Sequence, residues 1–258
     1  MKYIRLVLIA LLALGFTSCT TIATNIGKTG LMVMSVILLA LFGLVFYLIF
    51  KKRRQADKSL NQFNLSIITM LNKLDTPAKK IKALEVIAKR IMEDETYKKD
   101  TNWRDQVLAK TYLHLATQYF DLNDNKKILE YCTKILTLTP DDAMTLYNRG
   151  SIYSNEGRFE EALADLNQSI ELVSSYASSY NNRGMVLSRL GRYEEALLDL
   201  EKAITMDETA ITYFNRGMVY QQQGSRALAL ADYDKALSLC DEDDAELKEE
   251  ILQTKSEL

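Results

Sequence analysis

Proline and glycine are scarce in this 258-residue chain, with two and ten copies respectively. A sandwich or barrel of short strands needs turn residues every 8 to 12 positions or so, so the shortage excludes an all-β fold and points to helices. Histidine is scarcer still: His114 is the only one in the sequence, which excludes mechanisms built on a histidine pair or a histidine-rich metal cluster. The three cysteines, Cys19, Cys132 and Cys240, cannot pair off evenly and lack metal-ligand spacing. They support neither a disulfide framework nor a zinc site, and Cys132 and Cys240 read as small buried hydrophobes. An excess of one charge is also missing, since 32 basic residues face 34 acidic ones for a net charge of -2, which argues against a nucleic-acid binder. Nor is there a phosphate-binding loop, because Gly27-Lys28-Thr29 has Ile22 where the leading glycine belongs. With no nucleophile motif either, the sequence indicates no enzyme, no cofactor, no metal and no small-molecule substrate.

Acidic residues are absent altogether from residues 1–50, where two apolar stretches stand instead. The first follows Lys2 and Arg5, runs from Leu6 to Phe16 and ends in Thr17, Ser18 and Cys19. A charged start, a short apolar centre and small polar residues make a secretory signal or a first membrane helix over 1–19. The segment resembles a bacterial lipoprotein signal, a likeness that implies lipidation of Cys19, although Phe16 stands where such signals prefer Leu. The second stretch, residues 31–50, is uncharged. At about 1.5 Å rise per residue it spans the roughly 30 Å hydrocarbon core, so a transmembrane helix is expected there. Lys51, Lys52, Arg53 and Arg54 follow it directly, while residues 20–30 offer only Lys28. The positive-inside rule then keeps the remainder of the chain in the cytoplasm, at the inner or cell membrane.

From Ala143 onward the sequence repeats itself. Lines beginning at Ala143, Ala177 and Ala210 each carry Asn-Arg-Gly (148–150, 182–184, 215–217), a further glycine seven residues on (Gly157, Gly191, Gly224), and then Ala162, Ala196 and Ala229. These residues resemble the tetratricopeptide repeat, a helix-turn-helix unit about 34 residues long. The likeness implies an all-α solenoid of three clear repeats, 143–176, 177–209 and 210–242. Stepping back one period gives a degenerate unit at 109–142, with Asn123 in place of the turn glycine and Ile128 in place of the small residue of the second helix. Thr76-Pro77 marks a helix start within a basic juxtamembrane and linker region, 51–108. Residues 243–258 are polar enough to cap the array.

Two polar residues recur beyond what core packing needs. Each arginine lies 16 residues before an aspartate, giving Arg149 with Asp165, Arg183 with Asp199 and Arg216 with Asp232. Two antiparallel helices can bring each pair together, so a structural ion pair is expected inside every unit. The asparagines have a different implication. In tetratricopeptide arrays their position faces the concave groove, so the resemblance implies a ladder of Asn148, Asn182 and Asn215, with His114 in the degenerate unit. Amide groups of this kind pair with the N–H and C=O groups of an extended peptide, or else bond across to the neighbouring helix. Tyr147, Met185, Phe214 and Met218 belong to the same implied groove and give it an adaptable apolar surface. Lys110 and Arg189 are the only basic residues at groove positions, too few for a carboxylate clamp.

The function implied is a membrane-anchored scaffold that binds protein or peptide partners. A self-associating spacer and an envelope lipoprotein with its repeats outside the cytoplasm are the alternatives. Neutrality conceals a gradient: residues 1–50 carry +3, residues 51–140 carry +7, and residues 141–258 carry -12. The basic part suits anionic lipid heads and the acidic array repels nucleic acid.

Overall fold

The computed structural model describes residues 58–93, 100–241 and 243–258, together with Tyr47, Leu48, Lys51 and Gln55. The signal segment 1–19, Cys19 and all but Tyr47 and Leu48 of the 31–50 span therefore lie outside the described residues. Among the described residues no helix is long and apolar enough to cross a membrane. The chain divides into two units, 1–62 and 63–258. In the first, every described residue is helical, and Tyr47 and Leu48 are exposed.

Helix follows helix through the second unit, with no strand among the described residues. Residues 58–71 (α1) run into it, followed by α2 (Pro77–Glu93), α3 (Thr101–Phe120), α4 (Asn125–Leu138), α5 (Ala143–Asn155) and α6 (Phe159–Leu172). Then come α7 (Ala177–Arg189), α8 (Tyr193–Met206), α9 (Ala210–Gln222), α10 (Arg226–Leu239) and α11 (Ala245–Ser256). The helices pair as hairpins, α3 with α4, α5 with α6, α7 with α8 and α9 with α10, and each hairpin stacks on the next. First helices also touch one another, α5 with α7 and α7 with α9, so they share one face of the array.

Small residues set how closely each pair approaches. A Cβ added to Gly150 would stand 3.0 Å from Leu166 Cγ and 3.2 Å from the Ala162 carbonyl oxygen, so a neighbour must shift to admit even a methyl group. Ala162, Ala196 and Ala229 are completely buried on the opposing helices. The turn glycines serve a different purpose. Gly157, Gly191 and Gly224 share φ +75, and the N–H after each donates to the carbonyl five residues back, as Arg158 N does to Tyr153 O at 2.9 Å. This is the 6→1 bond of a Schellman ending, which requires a left-handed residue. Asn123 does the same in the degenerate unit, with φ 54 and Asp124 N donating to Tyr119 O at 3.0 Å. Because a Cβ at Gly157 would meet nothing within 4 Å, only the backbone conformation resists substitution there. Gly157→Ala is expected to cost about 1 kcal/mol and Gly157→Asn distinctly less, an order that chemical denaturation can read.

The ends of the array differ from the sequence expectation. The degenerate unit was placed at Ala109, yet α3 begins eight residues earlier, at Thr101. Asp100 accepts a hydrogen bond from Trp103 N at 3.1 Å, capping the longer helix. Val107 and Leu108 are buried, and α3 packs against α2, so α2 and the start of α3 belong to the packed array. At the other end α11 lays fully buried Ile251 against Phe214, Ala229, Tyr233 and Ala236.

One position breaks the apolar register. Where the clear repeats have Ile152, Val186 and Val219, the degenerate unit has Gln118, buried to 7% exposure with no hydrogen-bond partner for its Oε1. A buried acceptor without a partner forfeits its hydration for nothing. Gln118→Met keeps the length of the side chain and removes the amide. It is expected to raise the unfolding free energy by about 1 kcal/mol, seen as a higher urea midpoint with unchanged slope.

Candidate functional site

All three ion pairs are formed. Arg149 donates from Nε to Asp165 Oδ2 at 2.7 Å and from Nη2 to Oδ1 at 2.8 Å. Arg183 reaches Asp199 in the same fork at 2.6 and 2.7 Å, and Arg216 reaches Asp232 at 2.8 Å twice. The aspartates are buried while the arginines keep about a fifth of their side-chain surface exposed. Bonding to the carboxylate holds each guanidinium even further above its ordinary protonation range. Arg183 does more, donating from Nη1 to Asn167 Oδ1 of the preceding hairpin at 2.8 Å. These groups fix hairpins, and each is already occupied. Two glutamates are occupied in a similar way: Glu161 and Glu195 accept from Arg158 and Arg192 at the starts of α6 and α8.

The asparagine ladder is partly spent on the protein itself. Asn182 Nδ2 donates to Ser151 Oγ at 2.7 Å, and Asn182 Oδ1 accepts from Asn181 Nδ2 at 3.2 Å. Asn215 is buried and donates to Asn181 Oδ1 at 2.9 Å. His114 Nε2 lies 2.8 Å from Asn64 Oδ1 on α1, and burial, with Lys110 nearby, holds its pKa below the usual value. Asn182 and Asn215 therefore bond back to the first helix of the preceding repeat, and His114 to α1. Among the described residues only Asn148 of the ladder makes no hydrogen bond, and it is half-buried.

Phe214 does not line a groove. It is 1% exposed, with its ring 5.7 Å from that of Tyr233 beneath α11, and Met218 packs against the same cluster. The capping helix brings Ile251 to this position, which turns a groove residue into core.

Three of the predicted positions, Tyr147, Asn182 and Met185, do meet. A cleft of ≈ 590 Å³ opens between α5 and α7, lined by Tyr147, Ser151, Ser154, Asn155, Asn182, Met185 and Arg189. Gly157 and Phe159 close one side, and sequence reasoning missed both as lining residues. The available signal was the aromatic residue opening α6, which Tyr193 repeats at the start of α8. Tyr147 is braced by Tyr176, ring centroids 5.1 Å apart at 63°. Arg189 is exposed and pairs with no acid among the described residues, so the cleft carries one available cation. Tyr147, Phe159 and Met185 supply apolar surface, and Ser154 and Asn155 supply polar points at the rim. Apolar walls and polar points thus face one open volume. It offers no general base and no nucleophile beside one.

The described residues contain no group of His, Cys, Asp and Glu that could hold a metal ion. Cys132 and Cys240 are free. Burial pushes the Cys132 thiol up to about 11, whereas Cys240 is half-exposed. Since the thiolate is the reactive form, iodoacetamide at pH 8 is expected to alkylate Cys240 at least tenfold faster than Cys132 (about 10-fold). Peptide mapping of the native protein checks this.

Residues 141–209 match the family model described as tetratricopeptide repeat, and residues 210–243 match a second model of the same description. The repeats of residues 141–243 are thus tetratricopeptide repeats. In sequence the chain is 28% identical over 90 residues to DnaJ homolog subfamily C member 7 of Mus musculus, a stretch that is 35% of this chain but 17% of that protein. In structure it resembles YrrB, a TPR protein with an unusual peptide-binding site, at 21% identity and TM-score 0.51 over 75% of this chain and 97% of that one. A thermophilic TPR protein of Thermus thermophilus gives 18% identity and TM-score 0.52 over 76% and 97%. A MamA double mutant gives 16% and 0.56 over 70% and 93%. At these identities the structural likenesses speak for the fold alone.

Proposed function

We propose that the protein is a membrane-anchored adaptor whose repeats hold an extended segment of a protein partner in the cleft between α5 and α7, assisting assembly of a complex at the membrane. The observation that carries this reading is the convergence of Tyr147, Asn155, Met185 and Arg189 on one open cleft. A cleft of this size, part apolar with a few polar points, fits a peptide side chain and its flanking backbone. A peptide-binding site in YrrB, which shares the fold, agrees with that use. The anchor rests on the uncharged stretch 31–50 and its basic flank.

The ladder's own hydrogen bonds change how this should be tested. Asn182→Ala with Asn215→Ala would loosen contacts between repeats, so lost binding would be ambiguous. A photo-crosslinking amino acid at Met185 is cleaner, compared in cells with the same group at Leu198, an exposed residue of α8 outside the cleft. Partner crosslinks are expected at 185 and abolished by Asn155→Ala with Arg189→Ala, two exposed lining residues of the cleft, at unchanged circular dichroism. Crosslinks at 198 but not at 185 would sink the cleft reading. Reporter fusions at residue 60 and at the C-terminus test the cytoplasmic placement separately.

A further inference from the structure

One helix of the array wears a charge pattern that peptide binding leaves unused. In α2, Leu84, Ala88 and Ile91 are buried, and the helix packs on α3 through that side. Opposite them, at the three- and four-residue spacing that makes one stripe, lie Lys79, Lys82, Val86, Lys89, Arg90 and Glu93, all exposed. Val86 keeps 49% of its surface in solvent at the centre of four cations. Lys79 pairs with Asp75 and Lys89 reaches Glu93 at 3.9 Å, both at well-exposed sites, while Lys82 and Arg90 have no acidic partner among the described residues. Lys73, just before the helix, is exposed and unpaired as well.

We propose that this face of α2 rests on the anionic headgroups of the membrane that anchors the chain. The inference relies on the anchored reading above. A cationic stripe around one exposed apolar residue is the chemistry of a helix lying in the headgroup layer. Charge also selects the orientation: residues 141–258 carry -12, so an anionic surface repels the repeats while it attracts α2. A second copy of the chain is the competing occupant, its acidic repeats being complementary to the same stripe. The lipid is favoured because only the 22 residues 55–76 separate the basic end of the anchor from α2 in sequence, whereas a second copy must first diffuse to it.

The test uses the full chain reconstituted into vesicles of phosphatidylcholine alone or with roughly one-third phosphatidylglycerol. Lysines are footprinted with acetic anhydride and read by mass spectrometry, with exposed Lys202 on α8 as the internal reference. Lys82 and Lys89 are expected to react several-fold more slowly in the anionic vesicles, with Lys202 unchanged. The slowing should vanish at about 0.5 M salt, where the screening length falls to a few ångströms. Equal rates in the two vesicles overturn the proposal. Slowing in neutral vesicles that grows with protein density overturns it in favour of contact between copies. Flotation of the protein with both vesicles separates the readings: protein that floats but shows equal rates loses only the α2 contact, whereas protein that fails to float loses the anchor and the contact together.

Discussion

Gly217→Ala is expected to destabilise the array by about 2 kcal/mol, the largest loss among the three glycines of the Asn-Arg-Gly motif. A Cβ there would stand 2.5 Å from Tyr233 Cε1 and 2.7 Å from Cδ1. In the other two repeats the residue facing this glycine is a leucine, Leu166 or Leu200, whose Cγ would lie 3.0 or 2.9 Å away, a milder overlap. Tyr233 is also the more firmly held. Its ring is completely buried against Phe214, and its hydroxyl donates to Gln221 Oε1, so both ends are held. Alanine gains about 1 kcal/mol over glycine in helix propensity, against which overpacking costs roughly 1–3 kcal/mol and more where the neighbour is rigid. For Gly150 and Gly184 the two effects come closer to cancelling. Urea denaturation of the three variants should rank Gly217→Ala as the least stable. Adding Tyr233→Leu, the residue of the sister repeats, should recover much of the loss. If Gly217→Ala matched the native midpoint, the close approach would not exist in solution.

The same comparison shows what could be read from the chain and what could not. Gly150, Ala162, Arg149 and Asp165 recur at fixed offsets because backbone approach and ion pairing act within one hairpin, so periodicity reports them directly. Asn123 was legible as a departure, and its left-handed φ shows why asparagine is tolerated there. The fate of the ladder was not legible. Whether an amide faces a ligand or bonds to the previous helix depends on what that helix presents, here Ser151 to Asn182 and Asn181 to Asn215. Phe214 failed for a related reason. Its repeat position matches Tyr147, which lines the cleft, but α11 follows only the last unit and buries it. His114 likewise met α1, a helix outside the recognisable repeats. Repetition therefore predicts contacts inside a unit well and contacts at the ends of the array poorly, because the neighbour there is no longer a copy.

Asp199→Ala is expected to cost about 2 kcal/mol or somewhat more, and the reason lies in what it leaves behind. Arg183 is about four-fifths buried and spends Nε and Nη2 on Asp199 while Nη1 reaches Asn167 across the hairpin boundary. Removing the carboxylate strands a half-desolvated cation; breaking a fully buried pair costs about 3–5 kcal/mol, and the residual exposure of Arg183 reduces that figure. The pair itself is a different matter. Replacing both members by apolar groups of similar volume, Arg183→Met with Asp199→Leu, removes the desolvation penalty along with the attraction, so the double variant should be closer to native stability than Asp199→Ala. A thermal or urea denaturation cycle over the two single variants and the double one measures this directly. Because each hairpin is stabilised by its neighbours, Asp199→Ala should also weaken the junction to α6 through the loss of order in Arg183. Asp165→Ala leaves Arg149 with no second acceptor on a preceding hairpin to disturb. Its effect should stay more local, and hydrogen exchange should show faster opening on both sides of α7 for Asp199→Ala only. Equal spread in the two variants would mean that the Arg183–Asn167 bond does not couple the repeats.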